Sequence, residues 1–87
     1  MKKLKQLDSN MRIEVLCFGP LAEAVGWKSR QVTLPDAARI SDLVSELGIE
    51  VWSTAGLAFA INGEMVPSDS MLTEGMEVAL LPPVSGG

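Results

Sequence analysis

The stretch that most strongly indicates the fold is residues 40–48, ISDLVSELG. Its apolar residues are spaced so that they share one face of an α-helix. They are Ile40, Leu43, Val44 and Leu47. The residues between them are polar or acidic, and Gly48 is suited to end a helix in a left-handed conformation. The pattern predicts one amphipathic helix over residues 40–47 that buries a single face.

Segments typical of β-strands precede and follow this helix. Met11–Phe18 and Arg30–Leu34 come before it, and each alternates apolar with polar residues. Between them, a short helix over Leu21–Val25 is predicted, because Pro20 suits its first position and Gly26 suits its end.

Three further strands are predicted after the main helix. Ala58–Ile61 and Glu64–Val66 are joined by Asn62-Gly63, the dipeptide typical of a type I′ hairpin turn. Met76–Leu81 is the last strand. This order indicates an α+β fold with one main helix across a sheet and a short additional helix. Since the sequence contains nothing to cover the other face of the sheet, that face is expected to meet water or a partner.

The composition excludes several classes of function. The 87 residues include no histidine and one cysteine, Cys17, so a disulfide framework, a Cys/His zinc site and histidine-based catalysis are excluded. We therefore expect no metal and no bound cofactor. A net charge of −4 argues against nucleic acid as a partner. No apolar run approaches the ~20 residues of a membrane helix, and an unpaired cysteine suits a reducing compartment, so a cytoplasmic location is expected.

The charge is distributed unevenly. Residues 1–10 hold three of the seven basic and one of the eleven acidic residues, so the rest of the chain has a net charge of −6. We expect residues 1–10 to be a disordered extension without the features of a signal peptide, and residues 11–81 to form the domain. An acidic domain suits a partner with a basic docking surface, although simple solubility explains the charge equally well.

Residues 82–87, PPVSGG, are expected to form an extended, flexible tail. The two prolines disfavour helix, and six extended residues reach about 20 Å. The reactive group at its end would be the carboxylate of Gly87, and Gly86 would let other groups approach the backbone closely. A carboxylate is a poor electrophile, and the sequence contains no phosphate-binding loop that would activate it. Any catalysis is therefore expected to come from another protein.

The tail, together with segments such as Leu21–Gly26, Ile61–Gly63 and Leu72–Val78, resembles the small subunit of molybdopterin synthase (the MoaD family). The resemblance begins at about Met11, and its most specific part is the Pro-Pro-Val-Ser-Gly-Gly ending. It implies a ubiquitin-like β-grasp fold with a mixed sheet. It also implies that the protein is a non-catalytic sulfur carrier subunit of a sulfurtransferase that forms a heterotetramer.

In that family, an E1-like adenylating enzyme (MoeB-like) uses ATP to activate the terminal glycine, here Gly87, which then becomes a thiocarboxylate. The large subunit (MoaE-like) receives the tail, and the sulfur passes to cyclic pyranopterin monophosphate during molybdenum cofactor biosynthesis. The resemblance implies that five residues line the inserted tail. They are Pro82, Pro83, Val84, Ser85 and Gly86.

A partner interface is predicted beside the tail. Leu81 has the opposite parity to Val78 and Leu80, so it points away from the core. With Ala79 and Met65 it would form an exposed apolar patch that docks a partner, unless Leu81 is an isolated surface residue.

Two other functions use the same carboxylate. One is a sulfur carrier of the thiazole pathway, and the other is a ubiquitin-like modifier joined through Gly87 to a lysine of another protein. Cys17 is not expected to carry sulfur, because its parity with Ile13 and Val15 places it in the core. Trp27 and Trp52 are interpreted as packing residues.

Overall fold

The computed structural model describes residues 10–83, which form five strands and three helices. The strands are β1 (Asn10–Cys17), β2 (Ser29–Pro35), β3 (Ala58–Ile61), β4 (Glu64–Val66) and β5 (Glu77–Leu81). The helices are α1 (Gly19–Val25), α2 (Ile40–Leu47) and α3 (Glu50–Thr54). Of the extension predicted to be disordered over residues 1–10, residues 1–9 lie outside the described residues, whereas Asn10 is the first residue of β1. Of the tail predicted over residues 82–87, residues 84–87 lie outside the described residues.

The five strands form one mixed sheet in the order β2-β1-β5-β3-β4. β1 and β5 run parallel, whereas the other neighbouring pairs are antiparallel. β5 is the last strand in the chain and the central strand in space, so whatever follows it leaves from the middle of the sheet. The mixed sheet that the resemblance implied is confirmed.

One face of the sheet is covered by the helices. Residues Ile13, Val15, Val78 and Leu80 on β1 and β5 are at most 1% exposed and belong to the same apolar core as Ile40, Leu43 and Val44 of α2. The main helix has the predicted bounds. No Ser, Thr or Asp stands before its first residue; instead, the carboxylate of Asp42 accepts a hydrogen bond of 2.8 Å from the backbone N–H of Arg39.

The hairpin between β3 and β4 has the predicted turn. Asn62 and Gly63 have φ angles of +49° and +90°, as a type I′ turn requires. The Asn62 side chain also accepts a 3.0 Å hydrogen bond from the backbone N–H of Glu77, and its own backbone N–H donates to the Glu77 carbonyl at 2.8 Å. The turn therefore fixes both the hairpin register and the start of β5.

Three features differ from the sequence-based expectation. Helix α3 was not predicted, because its single turn has no apolar stripe; it is anchored at Ile49, whose carbonyl accepts hydrogen bonds from the N–H groups of Trp52 and Ser53. Helix α1 starts at Gly19, two residues early. The bounds of β1, β2 and β5 differ from the prediction by one residue, as at Asn10, which pairs with Pro35, whereas β3 and β4 have the predicted bounds.

Candidate functional site

The tail leaves the sheet between two turns. The register pairs Leu80 of β5 with Cys17 of β1, and Leu81 with Ala58 of β3. Continuing these two ladders brings the next residues, Pro82 and Pro83, beside the loops that follow β1 and precede β3. Because proline has no N–H group, the chain that continues β5 donates no backbone hydrogen bond to β1 or β3 at positions 82 and 83. Pro82 is half-buried and Pro83 is exposed.

Each of these prolines faces a glycine. A Cβ atom added to Gly19 would lie 3.9 Å from Cγ of Pro82. A Cβ atom added to Gly56 would lie 3.8 Å from Cβ of Pro83. The root of the tail, Pro82 and Pro83, therefore lies next to the first residue of α1 on one side and next to the turn after α3 on the other. The remaining predicted tail residues, Val84, Ser85, Gly86 and Gly87, lie outside the described residues.

The three residues predicted to form an apolar patch share one face of the sheet, the face opposite α2. Ala60 of β3 pairs with Met65 of β4 on one side and with Ala79 of β5 on the other, so these three side chains lie side by side. Leu81 is two residues further along β5 and points to the same face. Met65 is 64% exposed, while Ala79 and Leu81 are half-buried.

Two apolar residues of this face were missed from the sequence. Leu16 of β1 pairs with Ala79 and is half-buried, and it extends the row across four strands. Ala60 lies in the row between Ala79 and Met65, but it is only 6% exposed. The parity of Leu16, opposite to that of Cys17, could have identified it, but its position next to Ala79 depends on strand order. These residues are called the open-face row: Leu16, Ala79, Ala60 and Met65, with Leu81 beside them.

Acidic side chains border this row. Glu14 of β1 pairs with Glu77 of β5, so two carboxylates lie opposite each other on the open face. They come two residues before Leu16 and Ala79 on the same strands. Like charges in this arrangement are mutually repulsive. Further along β1, the exposed Arg12 forms an ion pair of 3.7 Å with Glu74. The apolar row thus has a negatively charged border on the side away from the tail.

Cys17 lies on the other face and takes no part in this site. It is 3% exposed and packs in the core, as its parity predicts. Burial raises the pKa of its thiol above the ordinary value, because the thiolate loses hydration. A thiol of this kind is a poor nucleophile at neutral pH.

The described residues contain no group of three or more Cys, Asp or Glu side chains that could hold a metal ion. A surface cavity of about 440 Å³ lies between the end of β2 and α2, with Asp36, Asp42 and Glu46 in its lining, and none of the predicted site residues lines it. The longest helix within residues 10–83, α2, has eight residues, which is too few to cross a membrane.

The fold and the site together define a class of protein. A mixed five-stranded sheet with one main helix across it, whose central strand continues into a C-terminal tail, is the ubiquitin-like β-grasp fold, as the resemblance implied. Within this class the chain belongs to the ThiS family, whose model matches residues 15–87.

Individual relatives agree with this assignment. The chain is 36% identical over 85 residues to the molybdopterin synthase sulfur carrier subunit of Chlamydomonas reinhardtii, covering 88% of this chain and 100% of that protein. It is similar to subunit 1 in the complex of subunits 1 and 2 of the molybdopterin-converting factor from Helicobacter pylori. That match has a TM-score of 0.60 and 28% identity, and it covers 88% of this chain and 100% of that one. The resemblance to the molybdopterin synthase small subunit is thus confirmed.

A second kind of relative shares the fold. The crystal structure of small archaeal modifier protein 1 from Haloferax volcanii matches with a TM-score of 0.73 and 26% identity, covering 85% of this chain and 99% of that one. Sulfur carriers and protein modifiers therefore both occur among the proteins similar to this chain.

Proposed function

We propose that this protein is the sulfur carrier subunit of a molybdopterin synthase and that the carboxylate of Gly87 is its reactive group. The observation that carries the proposal is the 36% identity to a molybdopterin synthase sulfur carrier subunit along that protein's whole length. The family match reaches residue 87, so it includes the Gly-Gly ending. The geometry supports the same function, because the central strand leads to Pro82 and Pro83 beside an apolar face over which no described helix packs.

The first step of the proposed mechanism activates the tail. In an E1-like adenylating enzyme, a Gly87 carboxylate oxygen attacks the α-phosphorus of ATP, and pyrophosphate leaves. The resulting acyl-adenylate is attacked by a sulfide-level nucleophile, and AMP leaves with the former carboxylate oxygen. Gly87 is then a thiocarboxylate. The partner enzyme supplies the catalysis and keeps water away from the acyl-adenylate. The thiol of Cys17 takes no part in the reaction, because it is buried on the opposite face of the sheet.

In the second step the loaded tail enters the active site of the large subunit. Pro82, Pro83, Val84, Ser85 and Gly86 line the inserted segment. The thiocarboxylate sulfur bonds to a carbon of cyclic pyranopterin monophosphate and displaces an oxygen substituent, which gives a thioester. Water then cleaves the bond between this sulfur and the Gly87 carbonyl carbon, so the sulfur stays on the substrate and Gly87 is again a carboxylate. The similarity to subunit 1 of the Helicobacter pylori complex supports a large-subunit partner. In a heterotetramer, two carriers would each serve one large subunit.

The open-face row is the proposed docking surface for these partners. It provides a dry apolar contact next to the root of the tail, and Glu14 and Glu77 at its border would be relieved of their mutual repulsion by basic residues of the partner. The described residues contain ten acidic and four basic residues, which suits an electropositive partner surface.

Intact-mass spectrometry tests the carrier function directly. The full chain is incubated with an E1-like adenylating enzyme, ATP and inorganic sulfide, and the expected product is heavier by about 16 Da, the difference between oxygen and sulfur. Two control variants, one lacking Gly87 and one with an alanine added after it, are expected to keep the fold and to remain unmodified. An unchanged mass of the wild-type chain, in a reaction that converts a known carrier, would refute the proposal.

The ubiquitin-like modifier is the second candidate, and the similarity to small archaeal modifier protein 1 favours it. Its product would be an amide between Gly87 and a lysine of another protein, which survives reductant and hydroxylamine, whereas a thioester does not. Such adducts in a lysate of the source cells would establish conjugation. A thiazole-pathway carrier would be loaded with sulfur in the same way, but it would not support molybdopterin formation by the large subunit.

A further inference from the structure

The structure describes six glycines, and all of them have positive φ angles. Four of them have no atom within 4 Å of the place where a Cβ would stand: Gly26, Gly48, Gly63 and Gly75. The other two, Gly19 and Gly56, do have neighbours there, and every such neighbour belongs to Pro82 or Pro83. The two glycines with a packed neighbour are therefore the two that flank the root of the tail.

The sheet register explains this coincidence. β1 and β5 are parallel and Cys17 pairs with Leu80, so two steps further Gly19 comes level with Pro82. β3 and β5 are antiparallel and Ala58 pairs with Leu81, so two steps further Gly56 comes level with Pro83. Each proline ring therefore lies within van der Waals distance of the place where a side chain on the flanking segment would begin.

We propose that Gly19 and Gly56 form a collar that holds the double proline and thereby aims the tail at its partners' active sites. They are positioning residues, since neither reaches the reacting carboxylate. This inference rests on the proposed function, because a defined tail direction matters only if Gly87 reacts. A methyl group would just touch either ring, at 3.8–3.9 Å, so a longer side chain directed toward the ring would press against the proline.

The position of the collar gives it leverage over the tip of the tail. Four residues, 84–87, follow Pro83 in the sequence. A fully extended segment of four residues would span at most about 14 Å. A tilt of about 10° at the root would therefore displace an extended tip by about 2 Å, a misplacement that is enough to slow a positioned reaction about tenfold or more. A fixed root also reduces the conformational freedom that the tail loses on insertion.

An asparagine in place of Gly19 adds a side chain next to Pro82 with little backbone strain, so an effect on the direction of the tail can be told apart from an effect of strain. Asparagine tolerates the left-handed region, so Gly19→Asn at φ +53° adds a side chain of three heavy atoms beyond Cβ with little strain. Gly75→Asn, at φ +85° with nothing within 4 Å, is the matched control. Gly56→Asn tests the other side of the collar, but at φ +111° it also adds backbone strain, so its result is compared with that of Gly19→Asn. Thermal unfolding of each full-length variant verifies that it folds.

The direction of the tail is measured without any chemistry. A nitroxide is attached to a cysteine that replaces Ser85; Cys17, being buried, is not labelled. Paramagnetic broadening of backbone amides then maps where the label resides. We expect Gly19→Asn and Gly56→Asn to redistribute the broadening and Gly75→Asn to leave it as in the wild type.

Sulfur loading is measured in parallel on the unlabelled chains. We expect the collar variants to be thiocarboxylated about tenfold more slowly and Gly75→Asn to lose less than about twofold. Folded collar variants with the wild-type broadening pattern, or with the wild-type loading rate, would overturn the collar. If the wild-type chain itself is never loaded, the carrier function fails, and the broadening pattern alone decides whether the collar holds the tail.

Discussion

The two faces of the sheet carry apolar residues on the same strands but have opposite environments. On β5, Val78 and Leu80 are fully buried beneath the helices, whereas Ala79 and Leu81 alternate with them and remain half-buried on the open face. Within the described residues, no helix packs over the open-face row. An apolar row over which the described residues pack no helix suits the proposed docking surface, while the buried row on the other face supplies stability.

The sharpest test of this comparison uses adjacent residues of one strand. Leu80→Ala removes a fully buried side chain and is expected to lower the free energy of unfolding by about 3 kcal/mol, because it leaves a cavity in the core. Leu81→Ala is expected to lower it by about 1 kcal/mol or less, because that side chain is already half in water. Urea denaturation of both variants measures the difference, and equal losses would show that the two faces are not distinct.

The binding role of the open face is tested by a charge. Leu81→Glu is expected to weaken binding to the large subunit about 30-fold, equivalent to about 2 kcal/mol, because a carboxylate would be buried without a partner. Isothermal titration measures the affinity.

The matched control is Val51→Glu in α3. Val51 is 75% exposed, so the same charge enters an apolar surface position outside the sheet. Its affinity for the large subunit should stay within about twofold of the wild type. Equal losses in the two variants would place the docking surface elsewhere.

The next test concerns the Asn62-Gly63 turn, whose conformation fixes the register of β3 and β4 and so determines which of their side chains lie on the open face. Asn62→Ala is expected to destabilise the protein by about 1.5 kcal/mol, because alanine is strained at φ +49° and the hydrogen bond to the Glu77 N–H is lost. Asn62→Gly keeps the turn and loses only that bond, so it should cost less. Thermal unfolding compares the two, and a larger loss in the glycine variant would contradict the assigned turn.

The buried thiol gives the smallest effect, and it depends on pH. The folded state raises the pKa of Cys17, so its stabilising contribution is complete below the ordinary value of 9.0 and declines as the pH rises through the folded-state value. The decline is at most about 1.4 kcal/mol per pH unit. Urea denaturation between pH 8 and pH 10 measures it.

Comparison with Cys17→Ala isolates the thiol from other groups that titrate at high pH. The difference in unfolding free energy between the two proteins should shrink above pH 9 and stay constant below pH 8. A difference that grows with pH would mean that the thiolate, and not the thiol, is favoured in the folded state. A thiol reagent compares the two faces of the sheet directly. A cysteine introduced by Leu16→Cys in the Cys17→Ala background lies on the open face and should react readily, whereas the buried Cys17 of the wild type should not.

Local patterns account for much of what could be predicted. The bounds of α2, the Asn62-Gly63 turn and the burial of Cys17 each follow from neighbouring residues, through periodicity, backbone conformation and parity. The single turn of α3 lacked such a signal, because its stability comes from the surrounding chain.

The candidate site divides in the same way. The tail motif and the outward parity of Leu81 and Ala79 can be read along the chain, but the neighbours of the tail cannot. Gly19 and Gly56 are far from residue 82 in sequence, and only the strand order puts them against Pro82 and Pro83. Leu16 joins the open-face row for the same reason.

The residue order alone specified the kind of element at most positions and pointed to the group that is proposed to react. Both inferences depend on interactions within a few residues or on the chemistry of a Gly-Gly motif. The assembled fold specified which strand stands at the centre, which apolar face stays uncovered and what flanks the exit of the tail. These three features depend on the pairing of strands that are distant in sequence. The order of these strands is determined by the packing of one common core against β1 and β5.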